Sequence, residues 1–498
     1  MKKSLFIIII LALFQIFKLS FAQTAEIRGF LLNQESEEPV IYTTVYLVGT
    51  NYGTSSDVNG YFSITKIPPG NYTLMVSSIG YDSLSMPVSL KAGRILTKKY
   101  FLKEAIKELE TVEVKGIRIN KQENVNISIT TISPKEIRIL PSIGGEPDLA
   151  QYLQILPGVI STGDQAGQLY IRGGSPVQNL VLLDGMVIYN PFHSIGLFSV
   201  FDTDILRSVD VYTGGFNAQY GGRISAVIDI TTNDGNKKRL SGKIAAGPFT
   251  SKIMLEGPIV KAETGKGSLS YILSGRSSYL DKSSKVFYSY IDKDGLPYSF
   301  NDLYGKITLT GPVGSKVSFY GFRFDDKASL IPGSAFKWNS FGIGSRFLLL
   351  PAGSSVLISG IFAYSNYKIG ITEATISPRN SEVNGFNGSL NFTYFIKKHE
   401  LKYGIEILGN KTQFVGFSPA GIRQELLKFN TELAGYFKSR IVIMENGKWK
   451  MENGKTHIDI QHQPFSATAP TTTPALAPAP VPATAATATA TSSSRPIL

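Results

Sequence analysis

Tyr170-Ile171-Arg172-Gly173-Gly174-Ser175-Pro176, followed by Asn179-Leu180-Val181-Leu182-Leu183-Asp184-Gly185-Met186-Val187-Ile188-Tyr189, is the stretch on which the fold turns. Two short apolar runs flank Asp184-Gly185, and Asp-Gly supplies the two positive φ angles of a type I′ hairpin turn. Upstream, residues 148–156 read as a short helix stopped by Pro157-Gly158. Glycine makes up 14 of the 92 residues from 144 to 235, about twice its average frequency. It comes in pairs at Gly173-Gly174, Gly214-Gly215 and Gly221-Gly222, where a backbone turns sharply or approaches another surface closely. Each pair alone reads as a turn.

Beyond this segment the period changes to two. Leu390, Phe392, Tyr394 and Ile396 oppose Asn391 and Thr393, with a turn predicted at Lys397-Lys398-His399. Leu401, Tyr403, Ile405 and Ile407 oppose Lys402 and Glu406; Leu269, Tyr271 and Leu273 oppose Ser270 and Ser274; Leu303, Ile307 and Leu309 oppose Lys306 and Thr308. Such alternation suits a half-buried strand in a soluble sandwich or in a transmembrane barrel. About ten strand candidates lie between Leu240 and Val442. No segment after the N-terminus holds 18 uninterrupted apolar residues, so any membrane crossing here is by strands, in a closed barrel.

Toward the N-terminus, runs at 40–48, 61–65 and 72–76 are separated by Asp57-Val58-Asn59-Gly60 and Pro68-Pro69-Gly70-Asn71, the pattern of a small β-sandwich over 23–103. Residues 104–116 form a charged connector ending Leu109-Glu110-Thr111-Val112-Glu113-Val114. Its alternation fits a strand that could add to another protein's sheet edge, or an ordinary linker strand. Met1-Lys2-Lys3, an apolar core over 5–17 and the small residues Ser20 and Ala22 make a secretory signal over 1–22, cut between Ala22 and Gln23. The alternative is an uncleaved anchor, but 13 helical residues span only about 20 Å of a core about 30 Å thick.

In this order the motifs resemble two known families. Ile27-Arg28-Gly29, Glu38-Pro39-Val40, Gly49-Thr50-Asn51-Tyr52-Gly53-Thr54, Asp57-Val58-Asn59-Gly60-Tyr61-Phe62, Ile67-Pro68-Pro69-Gly70-Asn71-Tyr72 and Ile79-Gly80-Tyr81 resemble the carboxypeptidase-regulatory-like domain, which is non-catalytic. The helix through Pro157-Gly158-Val159, Arg172-Gly173-Gly174, Leu183-Asp184-Gly185, Tyr189-Asn190-Pro191-Phe192-His193, Phe198-Ser199-Val200-Phe201 and the run from Gly214-Gly215 to Gly221-Gly222-Arg223 are similar to the plug of TonB-dependent outer-membrane receptors. The plug is placed at 117–235. Glu256-Gly257-Pro258-Ile259 and residues 274–281 resemble that family's first barrel strands.

The resemblance implies a mostly β chain: an N-terminal β-sandwich, an α+β plug, then a partial antiparallel transmembrane β-barrel over 236–442. It implies a Gram-negative outer-membrane location with sandwich and plug on the periplasmic side. Residues 109–114 become a TonB-box-like strand for a TonB-type energy-transducing partner. Lipid, the barrel assembly machinery, a surface lipoprotein and an unidentified small solute are the other partners expected. Arg172, Asp184 and Arg223, set among the family's glycine turns, are expected to serve plug folding or plug–wall contacts.

The chain also departs from the family. Ten strands compare with roughly 22 in a plugged transporter. Met444-Glu445-Asn446-Gly447-Lys448 recurs at 451–455, and Ala, Thr and Pro supply 24 of the 33 residues from 466 to 498, a tail over 443–498 unable to bury a core. The expectation is a truncated or frame-shifted product whose open sheet edges prevent transport unless a second polypeptide completes the barrel.

Composition excludes much else. Zero cysteines rule out a disulfide framework, a thiolate zinc site and a Cys nucleophile, and four histidines without an H-E-x-x-H pair leave no metal centre to expect. The formal charge of +12 falls to +9 without the signal's three lysines and is diffuse, with Lys237-Lys238-Arg239 the longest basic run, so nucleic acid is disfavoured. Thr264-Gly265-Lys266-Gly267 is not a phosphate loop, and Asp57-Val58-Asn59-Gly60 lacks the downstream acid of a calcium loop. Asp325-Asp326 reads as a loop or strand end rather than an acid–base pair. No enzyme and no cofactor are expected. The competing class is a surface binding or scaffold protein that uses the sandwich for interaction.

Overall fold

A computed structural model describes residues 24–105, 129–140, 146–161, 168–193, 196, 198–287, 289–290, 293, 295–329, 334–373, 376–396, 399–417 and 421–440, with short pieces at 444–445, 448–449 and 465–467. The signal with Ala22 and Gln23, the strand of Leu109, Glu110, Thr111, Val112, Glu113 and Val114, and nearly all of 443–498 lie outside the described residues.

Seven strands build the N-terminal sandwich: β1 (Ala25–Asn33), β2 (Thr44–Leu47), β3 (Gly53–Ser55), β4 (Tyr61–Ile67), β5 (Gly70–Ser77), β6 (Leu84–Leu90) and β7 (Ile95–Leu102). They form one sheet in the order β4-β1-β7 and a second in the order β3-β2-β5-β6, with β1 and β7 parallel. Ile27, Leu31, Val45, Phe62, Leu74 and Tyr100 fill the space between them. The Asp57–Gly60 turn forms because the Asp57 carboxylate accepts the Asn59 and Tyr61 amides at 2.8 Å each, while Gly60 takes φ 72°. The strand expected over 40–48 is shorter: Thr44–Leu47 forms the ladder with β3 and β5, while Tyr42 at φ 53° breaks the extended run before it.

The second unit is a mixed five-stranded sheet in the order β12-β11-β14-β13-β8. Its strands are β8 (Ile129–Ile132), β11 (Leu180–Leu183), β12 (Met186–Val187), β13 (Leu206–Tyr212) and β14 (Val227–Thr232), and the small hairpin β9 (Val159–Ser161) with β10 (Leu169–Ile171) lies apart from it. Helix α1 (Pro134–Ile139) starts in a Ser133/Glu136 capping box. Helix α2 (Leu149–Gln154) is shorter than expected because Asp148 is its N-cap, accepting the Ala150 amide at 2.7 Å. Asp184 and Gly185 take φ 49° and 92°, the signs a type I′ turn requires. The hairpin's second strand stops at Val187 rather than Tyr189.

Ten consecutive strands then run as an antiparallel meander. They are β15 (Ser241–Ala246), β16 (Thr250–Val260), β17 (Ser268–Ser278), β18 (Tyr298–Thr310), β19 (Lys316–Ala328), β20 (Ala335–Leu349), β21 (Val356–Glu373), β22 (Ile376–Ile396), β23 (His399–Phe417) and β24 (Arg423–Arg440). Phe465–Ala467 adds a short pairing to β24. From β16 on, each strand has at least the 9–11 residues that cross a bilayer when tilted. The face away from the plug carries exposed Leu273, Leu303, Ile307, Leu309, Phe319, Ile343, Phe362, Ile405 and Phe437. Ser270, Ser274, Lys306, Thr308 and Thr393, one position away, are buried on the other face. An apolar belt this large, backed by inward polar residues, is the signature of a membrane wall. No helix among the described residues is long and apolar enough to cross a membrane.

Candidate functional site at the plug–wall seam

The second unit's sheet lies against the inward face of the meander, and the seam between them sets buried ion pairs beside an apolar cluster that includes Ile272, Tyr304, Tyr320, Phe322 and Phe324 of the wall. At its centre is the hairpin turn. Asp184 is fully buried; its carboxylate accepts the Thr232 amide at 3.1 Å, the Thr232 hydroxyl and the Tyr304 hydroxyl at 2.7 Å, with Lys306 Nζ 3.6 Å away. Tyr320 donates to the Asp184 carbonyl at 2.6 Å and Asn387 to the Gly185 carbonyl at 2.7 Å. Three wall strands, β18, β19 and β22, therefore pin one turn. A side chain at Gly185 would sit 2.6 Å from Ile361 Cδ1, so glycine serves here both the φ angle and the close approach. Burial alone would raise the Asp184 carboxyl; Lys306, Thr232 and Tyr304 outweigh it and hold it below the usual carboxylate range.

Beside this turn, Asp234 is buried between Arg207 at 3.0 Å, Lys316 at 2.9 Å and Lys306 at 3.4 Å. Despite its burial, these cations keep it well below the ordinary range. A third group gathers round Lys252 of β16, which reaches Asp202 at 3.1 Å, Asp204 at 2.7 Å and Glu146 at 3.4 Å. Asp204 also meets Lys243 at 2.9 Å and Arg138 at 2.7 Å. Burial opposes its charge, but hydrogen bonds from Lys252 and Lys243 hold Asp204 down at about 2.

The fourth group centres on His193. Its ring stacks on Phe300 at 3.6 Å, with Nδ1 3.0 Å from Asp326 and Nε2 3.1 Å from Asp302. Burial favours the neutral ring, yet the two carboxylates raise its pKa to about 9, so at neutral pH it is an imidazolium donating to both. Arg276 shares Asp302 at 2.7 Å and lies 3.6 Å from Asp148, the cap of α2. The helix cap, the loop through His193 and three wall strands, β17, β18 and β19, thus form one network.

The residues singled out from sequence fall in different places. Asp184 and Gly185 are at the centre of the seam. Arg172, at φ 47°, is exposed and its stem lies over Gly158, while a side chain on the adjoining Gly174 would collide with Ser225. Gly214 and Gly215 follow the end of β13. Gly221, Gly222 and Arg223 line a pocket open to solvent, faced by Tyr189, Asn387, Asn410, Glu406 and Glu432. Asp325 and Asp326 lie inside β19; Asp325 pairs with Arg323 at 2.7 Å, and Asp326 crosses the seam to His193. His193, Asp202, Asp204, Arg207, Asp234, Lys252 and Arg276 were not anticipated. For Arg207, Lys252 and Arg276 the one local signal was charge within a strand; His193, Asp202, Asp204 and Asp234 lie outside the strands and had none. Among the described residues no group of three or more side chains is arranged to hold a metal.

Comparison with known proteins identifies the unit. Residues 121–227 match the family model described as the TonB-dependent Receptor Plug Domain. The chain carries a TonB-dependent receptor plug. Residues 27–114 match the CarboxypepD_reg-like domain, which covers the sandwich. The TonB-dependent receptor SusC of Bacteroides thetaiotaomicron is 29% identical over 226 residues, 43% of this chain and 22% of SusC. The TonB-dependent transporter Oar of Myxococcus xanthus is 22% identical over 236 residues, 44% of this chain and 21% of Oar. Each aligned stretch thus spans about a fifth of the curated relative. Among solved structures, the siderophore receptor PiuA from Acinetobacter baumannii aligns with 63% of this chain and 55% of its own, at 15% identity and a TM-score of 0.45.

Proposed function

We propose that this chain is the plug-bearing part of an outer-membrane receptor for the energy-coupled uptake of a scarce solute. The observation that carries this is the seam itself: a plug sheet held in place by ion pairs with the inward side chains of a wall whose outer face is apolar. An ionic seam suits a removable plug. Buried pairs specify position more than they stabilise, and water entering the lumen can take over each charge as the plug shifts. The sandwich and plug face the periplasm, where the TonB-type partner adds to the strand at 109–114 and pulls. Force along the chain then reaches β8, the edge strand paired to β13. The cavity at Gly221-Gly222, bounded by plug on one side and wall on the other, is where a path opens first. The ligand, and any surface lipoprotein that delivers it, stay unnamed.

Val112→Pro tests the reading in a full-length relative that carries the same strand. Proline removes a ladder donor, so partner binding and uptake should both be lost while membrane assembly persists. Unchanged binding and uptake would remove the partner-strand assignment. Deleting 24–103 separates the scaffold alternative: uptake that survives this deletion but fails when the plug is altered favours the transporter.

We further propose that the ten-strand wall does not transport alone. Among the described residues β15 and β24 do not pair with each other, and lipid does not tolerate an open edge. A heat-modifiable, membrane-inserted species made from this reading frame alone would overturn that statement.

A further inference from the structure

The sandwich presents an anomaly in its first strand. In a two-layer sandwich a strand buries one face and shows the other to water. All nine residues of β1 are buried. Ile27 and Leu31 point into the sandwich core, but Phe30 and Leu32 belong to a second apolar cluster with Tyr61 and with Leu348, Leu350 and Leu357 of the barrel. Tyr61 packs on Phe30 at 5.3 Å and on Phe395 at 5.7 Å between ring centroids. Arg28, 2% exposed, sends its guanidinium out of the sandwich to the carbonyls of Pro351 (2.8 Å) and Ser354, in the turn between β20 and β21.

The second observation is one of charge. The basic run Lys237-Lys238-Arg239, where the plug chain enters the wall, meets the acidic loop Glu35-Ser36-Glu37-Glu38 of the sandwich. Lys237 donates its amide to Ser36 O at 2.9 Å and its Nζ to Glu37 O at 3.0 Å. Lys238 donates to Gln34 O at 2.8 Å, and Arg239 lies 3.4 Å from Glu35. Glu38 bonds Arg207 of β13 at 2.9 Å, and Arg207 in turn holds Asp234 at 3.0 Å. One line of charge therefore runs from the sandwich through the plug to Lys306 and Lys316 of the wall.

We propose that the N-terminal sandwich is a seated brace: it docks on the barrel rim through Arg28, Phe30 and Tyr61, and its acidic loop grips the plug-to-wall junction, with Arg207 relaying that grip to the plug. The basic run is then the socket for an acidic loop of the same chain. A tethered domain hanging free of the rim is the contrary arrangement.

The chain has no cysteine, so single introduced thiols report accessibility cleanly in the full chain folded in detergent micelles. Leu348→Cys and Leu357→Cys probe the rim, Ser208→Cys probes β13, Ile79→Cys is the exposed reference and Leu74→Cys reports sandwich folding. Seating predicts that both rim thiols react with a maleimide at least about tenfold more slowly than the reference. Arg28→Ala should open the rim thiols while Leu74→Cys stays protected, and Glu38→Gln should speed Ser208→Cys without opening the rim. Rim thiols that react as fast as Ile79→Cys while Leu74→Cys is protected would overturn the seat. A Ser208→Cys rate unmoved by Glu38→Gln would overturn the relay. The readout is accessibility, so it stands or fails apart from partner-driven uptake.

Discussion

The plug–wall seam and the sandwich–rim seam join the same barrel, and both have an apolar part, but only the first is threaded by buried carboxylate–cation pairs at several places. Inside the lumen, Asp148, Asp184, Asp202, Asp204 and Asp234 of the plug pair with Arg276, Lys306, Lys252 and Lys316 of the wall, beside an apolar cluster to which the wall adds Ile272, Tyr304, Tyr320, Phe322 and Phe324. At the rim, Phe30, Tyr61, Leu348 and Phe395 meet ring to ring and ring to aliphatic, and the charges there mostly address carbonyls. The ion pairs give the first seam a defined register and hold less once water enters, because solvation replaces what the partner supplied. The apolar seam loses free energy for every area re-exposed, at about 25 cal/mol per Å2. On the function proposed above, a plug that shifts would rely on the first and a brace that stays in place on the second.

The largest expected effect comes from breaking the ionic seam at its centre. Asp184→Ala takes one of the two carboxylates from Lys306, leaving it Asp234 at 3.4 Å, and removes the buried acceptor of Thr232 and Tyr304. Removing one partner of a buried pair costs about 3–5 kcal/mol. Hydrogen exchange of the β14 amides, with the chain folded in detergent, should show the plug opening by that amount while β1 is unaffected. An Asp184→Ala plug as protected as the parent would show that the seam is held by packing after all.

His193 sharpens the comparison through pH. Its pKa rises from the ordinary value near 6.5 to about 9 in the folded chain. Folding therefore binds the proton more tightly, and the stabilisation is complete below about pH 6.5 and is lost as pH climbs through about 9. The loss is at most roughly 3 kcal/mol. Denaturant midpoints of the plug should fall between pH 7 and 10, and His193→Gln should flatten that part of the profile. Equal slopes in the two proteins would remove His193 from the seam's charge balance.

Much of this organisation was legible locally. Asp-Gly between apolar runs marked the central turn, and alternation marked both faces of the wall, down to the inward Lys306, Thr308 and Ser274. The pairing of those inward charges was not legible. Lys252 and Asp202, or His193 and Asp326, come from different elements, and a period-two pattern says which way a residue points without saying what awaits it. Residues 25–33 were opaque for a related reason. A strand covered on both faces loses the alternation that betrays one, and Arg28 between Ile27 and Gly29 looks like a solvent residue until the rim carbonyls are in place. The Asp325-Asp326 pair was expected in a loop or at a strand end; it lies inside β19, and the His193 that meets Asp326 is 133 positions away.

A smaller effect is expected at Gly185, where shape rather than charge is at stake. Gly185→Ala meets Ile361 and a φ of 92° together, for a cost of about 2 kcal/mol. Ile361→Ala in the same chain should recover only the steric part. Full recovery, read by the same exchange measurement, would mean that the positive φ costs nothing here and that the turn relaxes to another type.

The smallest effect belongs to the rim, and it tests whether that seam is additive. Tyr61 and Phe395 meet at 5.7 Å with an interplanar angle of 47°, a tilted contact in which one ring's edge can approach the other's face. Aromatic pairs of this kind couple by about 0.5–1.5 kcal/mol beyond their buried area. A double-mutant cycle with Tyr61→Leu and Phe395→Leu, read as the labelling rate of Leu348→Cys, should return a coupling in that range. It should be insensitive to salt between low and physiological ionic strength. A coupling that fell with salt would mean that Arg28 and Glu26, rather than the rings, carry the seam, and the contrast between an ionic interior and an apolar rim would fail.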